Sequence, residues 1–349
     1  MRTGLSATLE AAQVAASRQP YLYLLFTSYD EGTTYNLSSN GSYGNRILLI
    51  DHSEEPYNEY AYIMLRDYDR ALPTDLTGYW VEIGYGDVTG VGDEYAQTAR
   101  LWVKHQQVVS AAGKLIIILE LEGMWAKLKE TKMMLGTAPY FNATYTTETP
   151  YDLITLFLSE ADPAVTLAAL GGQDDGIIDT YIPEFSVNEV EYFEDAASLI
   201  YEAIKMTKCF LRPKTGLEFE VRYPLESNAV DLTIYSEGTG VQKFYEYADR
   251  KNLVIPNHIY CVANQGADGL WTDKIIAEAV SQDSIDAYGD TPDIVLAPEL
   301  DNATDAENRA EVVLARMGDE EPAGTLTIPH DCRIELYDYI LVGDSRGFV

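Results

Sequence analysis

Between residues 46 and 123 the sequence breaks into short runs rich in Tyr, Val, Ile, Leu and Trp, separated by turn residues. This rhythm limits the fold more than any other feature. The runs cover 46–52, 60–68, 78–86, 99–109 and 114–123. β-branched and aromatic side chains suit a half-buried pleated surface, and strands at such spacing argue for a barrel or a sandwich. The last run is the clearest. In LIIILELEG, Leu115, Ile117, Leu119 and Leu121 fall on one side of a strand, and Ile116, Ile118, Glu120 and Glu122 on the other. One face is core; the opposite face turns from apolar to acidic along its length.

Upstream, an amphipathic helix is expected over 6–17, capped by Ser6, with Leu9, Ala12, Gln13 and Ala16 on one face and Pro20 as its stop. A strand is expected over 21–29 and a polar loop over 30–44, a length that points to function or to ordering by a partner. Downstream, the pattern changes near Gly136. Thr149-Pro150-Tyr151-Asp152 supplies an N-cap, a proline at the first helical position and an acid at the third, ahead of LITLFLSEA. A second helix over 194–207 carries Ala196, Leu199, Ile200, Ala203 and Ile204 on one stripe. It leads into the strand KCFLRP and a hairpin at Lys214-Thr215-Gly216 that returns through LEFEVRYP.

From residue 252 onward, strands are expected over 258–264, 274–280, 324–328 and 333–342, with a helix over 305–317. Thr304-Asp305-Ala306-Glu307 matches a capping box, and Gly318 stands where a C-terminal glycine cap belongs. The chain shows no internal repeat of fixed period and no low-complexity tract.

Charge narrows the function classes. With 24 Lys and Arg against 56 Asp and Glu, the formal net charge is −32, which repels phosphate backbones and anionic membrane surfaces. Specific nucleic-acid binding is therefore excluded, although a negative wall suits DNA that must slide past without sticking. Cys209, Cys261 and Cys332 are widely spaced and odd in number, which argues for reduced core residues and against a disulfide framework or a CxxC motif. No run approaches a membrane span, and the opening MRTGLSATLEAAQVAASRQP lacks a signal-peptide core, so the expectation is a soluble protein made in a cytoplasm.

Residue patterns with chemical potential are few. YGDVTGVG has glycines at 84, 86, 90 and 92, which miss the dinucleotide spacing, and no Gly-Lys-Ser/Thr follows, so they read as turn glycines between two strands. The histidines at 52, 105, 258 and 330 never occur in zinc spacing. His330-Asp331-Cys332, placed on a strand, would send Asp331 to the side opposite the other two and could form no relay. Glu189, Glu191, Glu194 and Asp195 form an acidic cluster of the kind glycoside hydrolysis uses, but in so acidic a chain a solvated face is the expectation. Asp67, Asp69 and Asp75 lack the glycine and the terminal glutamate of a calcium loop. Asn36, Asn40, Asn142 and Asn302 fit glycosylation sequons that mean little without a secretory signal. No catalytic, cofactor-binding or metal-binding residue is assigned, and no cofactor.

Several stretches together resemble the baseplate hub or tail-tip hub proteins of tailed bacteriophages, the late control D-like family. They are MRTGLSATLEAAQVAASRQPY, RDYDRALPTDLTGYWVEIGYG, RLWVKHQQVVSAAGKLIIILELEGMWAKL, IPNHIYCVANQGADGLWTDKIIAEAVSQDSIDAYGD, ENRAEVVLARM and GTLTIPHDCRIELYDYILVGD. The strength lies in their order along the whole chain. The resemblance implies an α+β, β-rich chain with two tube-like β-barrel domains and an intervening mixed α/β domain. Its parts are an N-terminal arm over 1–20, a first barrel over 21–135, an α+β middle domain over 136–250 and a second barrel over 251–349. Within the second barrel, QDSIDAYGD would be a short turn, with Ile285 and Tyr288 packed inward and Gly289 allowing the reversal. Family members continue beyond the position of LVGDSRGFV, so the second barrel is expected to be incomplete or closed by a neighbour. The segment 35–45 is longer and more polar than the pattern requires and would be a docking loop.

The function implied is a non-enzymatic structural hub of the virion tail. It is a homotrimer that adapts the sixfold tail tube to threefold tip proteins and forms part of the DNA-ejection channel. Implied partners are distal tail or tail tube proteins, and a spike, fibre or tape measure protein, with DNA only in transit and no membrane-spanning segment. Two other readings remain: a carbohydrate-binding or glycan-hydrolysing β-protein, for which Trp80, Trp102 or Trp125 would gather with acids in a pocket, and a distal tail or tail tube protein.

Overall fold

The computed structural model describes the chain from Arg2 to Phe348, except residues 3, 42–44, 112, 134–142, 188–194, 225–228, 237–241, 252–255, 265–269, 298–299, 301, 320–321 and 345–346. The Ser6 hydroxyl accepts the Leu9 N–H and caps α1 (Ala7–Gln13), satisfying one orphan donor of its first turn. Leu9 and Gln13 are the buried members of the expected face, and the helix ends before Ala16. Pro20 then opens β1 (Pro20–Thr27). The expected loop after it contains β2 (Thr34–Ser38), a hairpin partner of β1 whose side chains are exposed or half-buried. Such a strand has no apolar alternation to announce it.

β3 (Ile47–Glu55), β4 (Asn58–Arg66), β5 (Trp80–Thr89), β6 (Gly92–Gln97), β7 (Leu101–Ala111) and β8 (Lys114–Glu122) complete the first sheet. Its order is β2-β1-β5-β7-β8-β4-β3, with β6 on β5. Buried residues from β1, β3, β4, β5, β7 and β8, among them Leu24, Ile47, Ile63, Ile83, Leu101 and Leu119, meet in one cluster, which a flat sheet could not achieve. The sheet is thus strongly curled. Among the described residues no ladder joins β2 to β3, so it remains open along that seam.

Part of the sheet's other face is also buried. Register places Trp80 directly opposite Trp102, and both leave the first core to join Trp125 and Leu128 of α2 (Met124–Glu130) in a second cluster. That cluster continues into a mixed layer of β9 (Ala143–Tyr145), α3 (Pro150–Ser159), β10 (Thr166–Leu167), β11 (Phe185–Val187), α4 (Ala196–Ile204), β12 (Phe210–Lys214) and β13 (Glu218–Arg222). Thr149 is the expected N-cap of α3, and the structure adds a reciprocal bond from its N–H to Asp152. Asp195 caps α4 by accepting the Ser198 N–H. The β12–β13 hairpin turns at Gly216, whose φ of +83° lies in the left-handed region open to glycine.

The remaining chain contributes β14 (Leu232–Tyr235), β15 (Gln242–Lys243), β16 (Glu246–Lys251), β17 (His258–Ala263), β18 (Ile275–Val280), α5 (Gln282–Tyr288), β19 (Pro292–Ala297), α6 (Ala303–Asp319), β20 (Pro322–Thr327), β21 (Ile340–Asp344) and β22 (Gly347–Phe348). These strands form three sheets, ordered β15-β14-β21-β22, β16-β20 and β18-β17-β19. α6 covers one face of the last sheet, packing Ala306 and Ala310 against Ile259, Cys261 and Ala297.

Four expectations change here. QDSIDAYGD is the short helix α5, not a turn: Ile285 is half-buried, Tyr288 is 65% exposed, and the reversal at Gly289 uses a φ of +89°. The helix expected from Asp305 starts at Ala303, because Asn302 is the cap, exchanging hydrogen bonds with Asp305. Gly318 lies inside that helix, in whose last turn Arg316 donates to the carbonyls of Ile204, Thr207 and Cys209. Finally, most of 333–342 is turns: Asp331 accepts the Arg333 N–H and guanidinium, and Asp338 accepts the Glu335 N–H. Local side-chain bonds of this kind compete with a ladder.

Candidate functional site

The stretches singled out for chemistry resolve into structural roles. Gly84 and Gly86 lie within β5, and Gly90 and Gly92 bracket the β5–β6 turn. A Cβ on Gly86 would sit 1.9 Å from the Glu94 carbonyl oxygen, so that glycine serves the approach of two strands. Asp67 accepts the Leu72 N–H and, with Asp69, clamps Arg46, while Asp75 closes a turn on the Thr77 N–H. Among the described residues no group of His, Cys, Asp and Glu is arranged to hold a metal ion. Glu189, Glu191, Glu194 and the sequon at Asn142 lie outside the described residues. Asp195 is the α4 cap and pairs with Lys132 at 3.5 Å. Trp80, Trp102 and Trp125 are 2%, 4% and 5% exposed, so they line no sugar cleft.

Two distant histidines do come together. His52 on β3 and His330, after β20, flank Tyr85 of β5. The Tyr85 hydroxyl lies 3.3 Å from His52 Nδ1, and its ring centroid 4.2 Å from that of His330. Burial, then the positive fields of His330 and Arg2, push the His52 pKa down to about 4, so the ring is neutral at pH 7. His330 is shifted the same way by its own burial. Asp331 turns away to chelate Arg333, and Cys332 packs with Leu9 and Ala96. Burial raises the Cys332 thiol to about 11, which leaves almost no thiolate to attack anything. His330, Asp331 and Cys332 therefore form no relay; they lie in irregular chain and the start of a turn after β20.

Tyr85 and His330 stand between two clefts. One, of about 480 Å³, holds Arg2, Glu54 and Asp331; the other, of about 870 Å³, runs between β1 and β3 and is walled by Tyr21, Leu22, Leu48, Leu49 and Ile50. In the smaller cleft Arg2 is committed to Glu335 and Asp331 to Arg333, while Glu54 lies 3.8 Å from His52 and burial raises its pKa. With a neutral imidazole and a protonated thiol, the described residues here present no activated nucleophile.

A third surface is the face of β18-β17-β19 turned away from α6. Its rungs are Ile276–Val262–Leu296, Glu278–Tyr260–Ile294 and Val280–His258–Pro292. Ile276 is 56%, Ile294 61% and Leu296 63% exposed. Only Glu278 on these rungs carries a carboxylate, and it lies 3.4 Å from His258. An apolar sheet face of this kind marks a contact surface in a folded chain.

The sequence carried a signal for the exposed Leu48 and Leu49. Four successive apolar residues in a strand, as in ILLI, cannot all face one core. The β3–β4 register slips there, between Ile47 and Leu49, and both leucines emerge at the surface. The Tyr85–His330 contact spans 245 residues of chain and had no local signal.

No family model and no curated protein matches the sequence. Among solved structures, the chain shares its fold with the tail protein from Neisseria meningitidis MC58, at a TM-score of 0.58 and 12% identity over 95% of this chain and 84% of that one. It also shares it with the 43 kDa tail protein of prophage MuSo2 from Shewanella oneidensis, at 0.58 and 13% identity over 93% of this chain and 88% of that one. The tail-protein resemblance carried by the ordered motifs is thereby met in the fold. Among the described residues no helix is long and apolar enough to cross a membrane.

Proposed function

We propose that this chain is a structural, non-enzymatic hub at the tip of a phage tail, a homotrimer of the virion. The observation that carries the reading is the fold it shares with two tail proteins over 95% and 93% of its length. In this role it adapts a sixfold tube to threefold tip proteins, contacting distal tail or tube proteins on one side and a spike, fibre or tape measure protein on the other. The proposed parts are an arm over 1–20, barrels over 21–135 and 251–349, and a middle domain over 136–250.

Self-association is supported by the open face of β18-β17-β19, where Ile276, Ile294 and Leu296 meet solvent. Burying such a face stabilises by about 25 cal/mol per Å² of apolar surface. The second barrel closes when a neighbouring copy covers that face. The net charge of −32 supports passage of DNA through the ring, since an acidic wall offers no counterion-releasing contact. Burial of the three tryptophans removes the support for a glycan cleft.

The test is cryo-electron microscopy of the intact particle that contains the chain. Threefold density at a tail tip, with three copies around a central channel, is the expected result. A chain found without threefold neighbours, or away from a tail, overturns the proposal.

A further inference from the structure

We infer that the cleft between β1 and β3 is a strand-addition site that takes an extended, apolar and acidic peptide segment of a partner chain. β3 ends the sheet path; among the described residues its outer edge has no partner. Natural edge strands are blunted by charged side chains, proline, a bulge, brevity or a covering element. In residues 47–55 the charged groups Asp51, Glu54 and Glu55 all lie past Ile50, and the irregularity between Ile47 and Leu49 leaves Leu48 and Leu49 40% and 44% exposed beside the edge. Across the cleft, β2 pairs with β1 from Tyr23 onward and Ser39 bonds the Leu22 main chain, so Pro20 and Tyr21 extend past that cover and form the opposite wall with the Leu22 side chain.

The volume, about 870 Å³, is at the upper end of the ~300–1,000 Å³ of small-ligand sites, and besides the two strands it is lined by the end of α1, by Gln242 and Lys243 and by His330. A strand advances ~3.3 Å per residue, so four residues beside 47–50 cover ~13 Å. Main-chain bonding to a free edge supplies affinity, and alternate side chains in an apolar trough supply selection.

Charge selects the sign of the occupant. The chain carries 56 acids against 24 bases, yet the charged side chains that line the cleft are Arg18 and Lys243, and no carboxylate lines it. Arg18 is held by Asp87 at 2.9 Å, which leaves Lys243, an exposed residue, as the group that faces an incoming carboxylate. A peptide of alternating apolar residues with an acid near Lys243 matches both features; a basic peptide would set like charge against Lys243.

The inference is tested on the full chain with fluorescein-labelled octapeptides: TVTVTVDD, its lysine counterpart TVTVTVKK, and TPTPTVDD, in which prolines remove two donors. Anisotropy is expected to show TVTVTVDD binding at least tenfold more tightly than either of the others. Hydrogen exchange should slow at the Leu48 to Ile50 amides on binding. Leu49→Asp and Lys243→Glu should each weaken binding at least tenfold while the urea midpoint of unfolding stays within error. Equal binding of all three peptides, absence of binding at millimolar peptide, or indifference to both substitutions overturns the inference. Sedimentation provides a further check: concentration-dependent self-association abolished by Leu49→Asp would assign the edge to a second copy and likewise overturn it.

Discussion

Among single residues, Glu59 is the most heavily constrained. It is 5% exposed, and both of its carboxylate oxygens are buried without a hydrogen-bond partner. Burial first, and then the negative charge of Glu54, raise its pKa to about 8. Its niche exists because residue 123 is glycine: a Cβ there would lie 2.1 Å from Glu59 Oε2. Glu59 holds its proton in the folded state up to about pH 8 and releases it in the unfolded chain near the ordinary glutamate value. Its contribution is therefore fully present below ~4.5 and lost as pH rises toward 8, at ~1.4 kcal/mol per pH unit. His52 runs the other way, since its folded pKa is about 4. Its contribution is present above ~6.5 and lost as pH falls toward 4. The two slopes oppose each other between ~4.5 and ~6.5, and between ~6.5 and 8 only the Glu59 slope remains. Urea denaturation across that upper window should show stability falling with pH in the parent chain and a flatter line in Glu59→Gln; an unchanged slope in the variant would refute the assignment. No pattern in EEPYNEY tells which acid goes inside, because the niche is made by the distant Gly123, the N-cap of α2.

At the scale of elements, the open face of β18-β17-β19 separates contact from stability. Ile276 and Leu296 are 56% and 63% exposed, so Ile276→Thr with Leu296→Thr should change the unfolding free energy by under about 1 kcal/mol. The same pair should abolish threefold association, read by sedimentation of the full chain with its tail partners. Retained assembly would mean that another surface carries it. This face was legible only in part from the sequence. The strands over 258–264 and 274–280 are evident in the apolar runs, and β17 and β18 lie there. Which face meets α6 and which meets solvent depends on packing between elements far apart in the chain. The same contrast holds elsewhere. β8, α3 and α4 follow from alternation, a capping box and a stripe, because each buries one face against a large core. β2 and β6 are polar hairpin partners held by main-chain ladders, and those leave no trace in side-chain pattern. α5 was hidden for a related reason: it buries no residue, and buried Asn257 stitches its far end by donating to the Gly289 carbonyl and accepting the Thr291 N–H.

For the molecule as a whole, the question is what couples its cores into one structure. The first two share β5 and β7, whose opposite faces supply Val81 and Leu101 to one cluster and Trp80 and Trp102 to the other. The core beneath α6 has no such shared strand. Its tie to the middle layer includes two guanidinium groups on α6. Arg316 donates to the carbonyls of Ile204, Thr207 and Cys209, and Arg309 to that of Lys205. The C-terminal end of α4 leaves orphan carbonyls and the negative end of its dipole there, so the arginines act as a cap supplied from another unit. Hydrogen bonds involving a charged group are worth about 1.5–3 kcal/mol each, and domains are stable by about 5–15 kcal/mol, so losing this set is a large change. Arg309→Ala with Arg316→Ala should split unfolding into two calorimetric transitions, with amides of β17 and β18 losing exchange protection before those of β4 and β8. The sheet beneath α6 keeps its own apolar contacts and therefore unfolds as a unit once uncoupled. A single transition, with protection falling in step across all four strands, would place the coupling elsewhere. Another candidate is Lys208, which pairs with Glu311 of α6 at 3.6 Å.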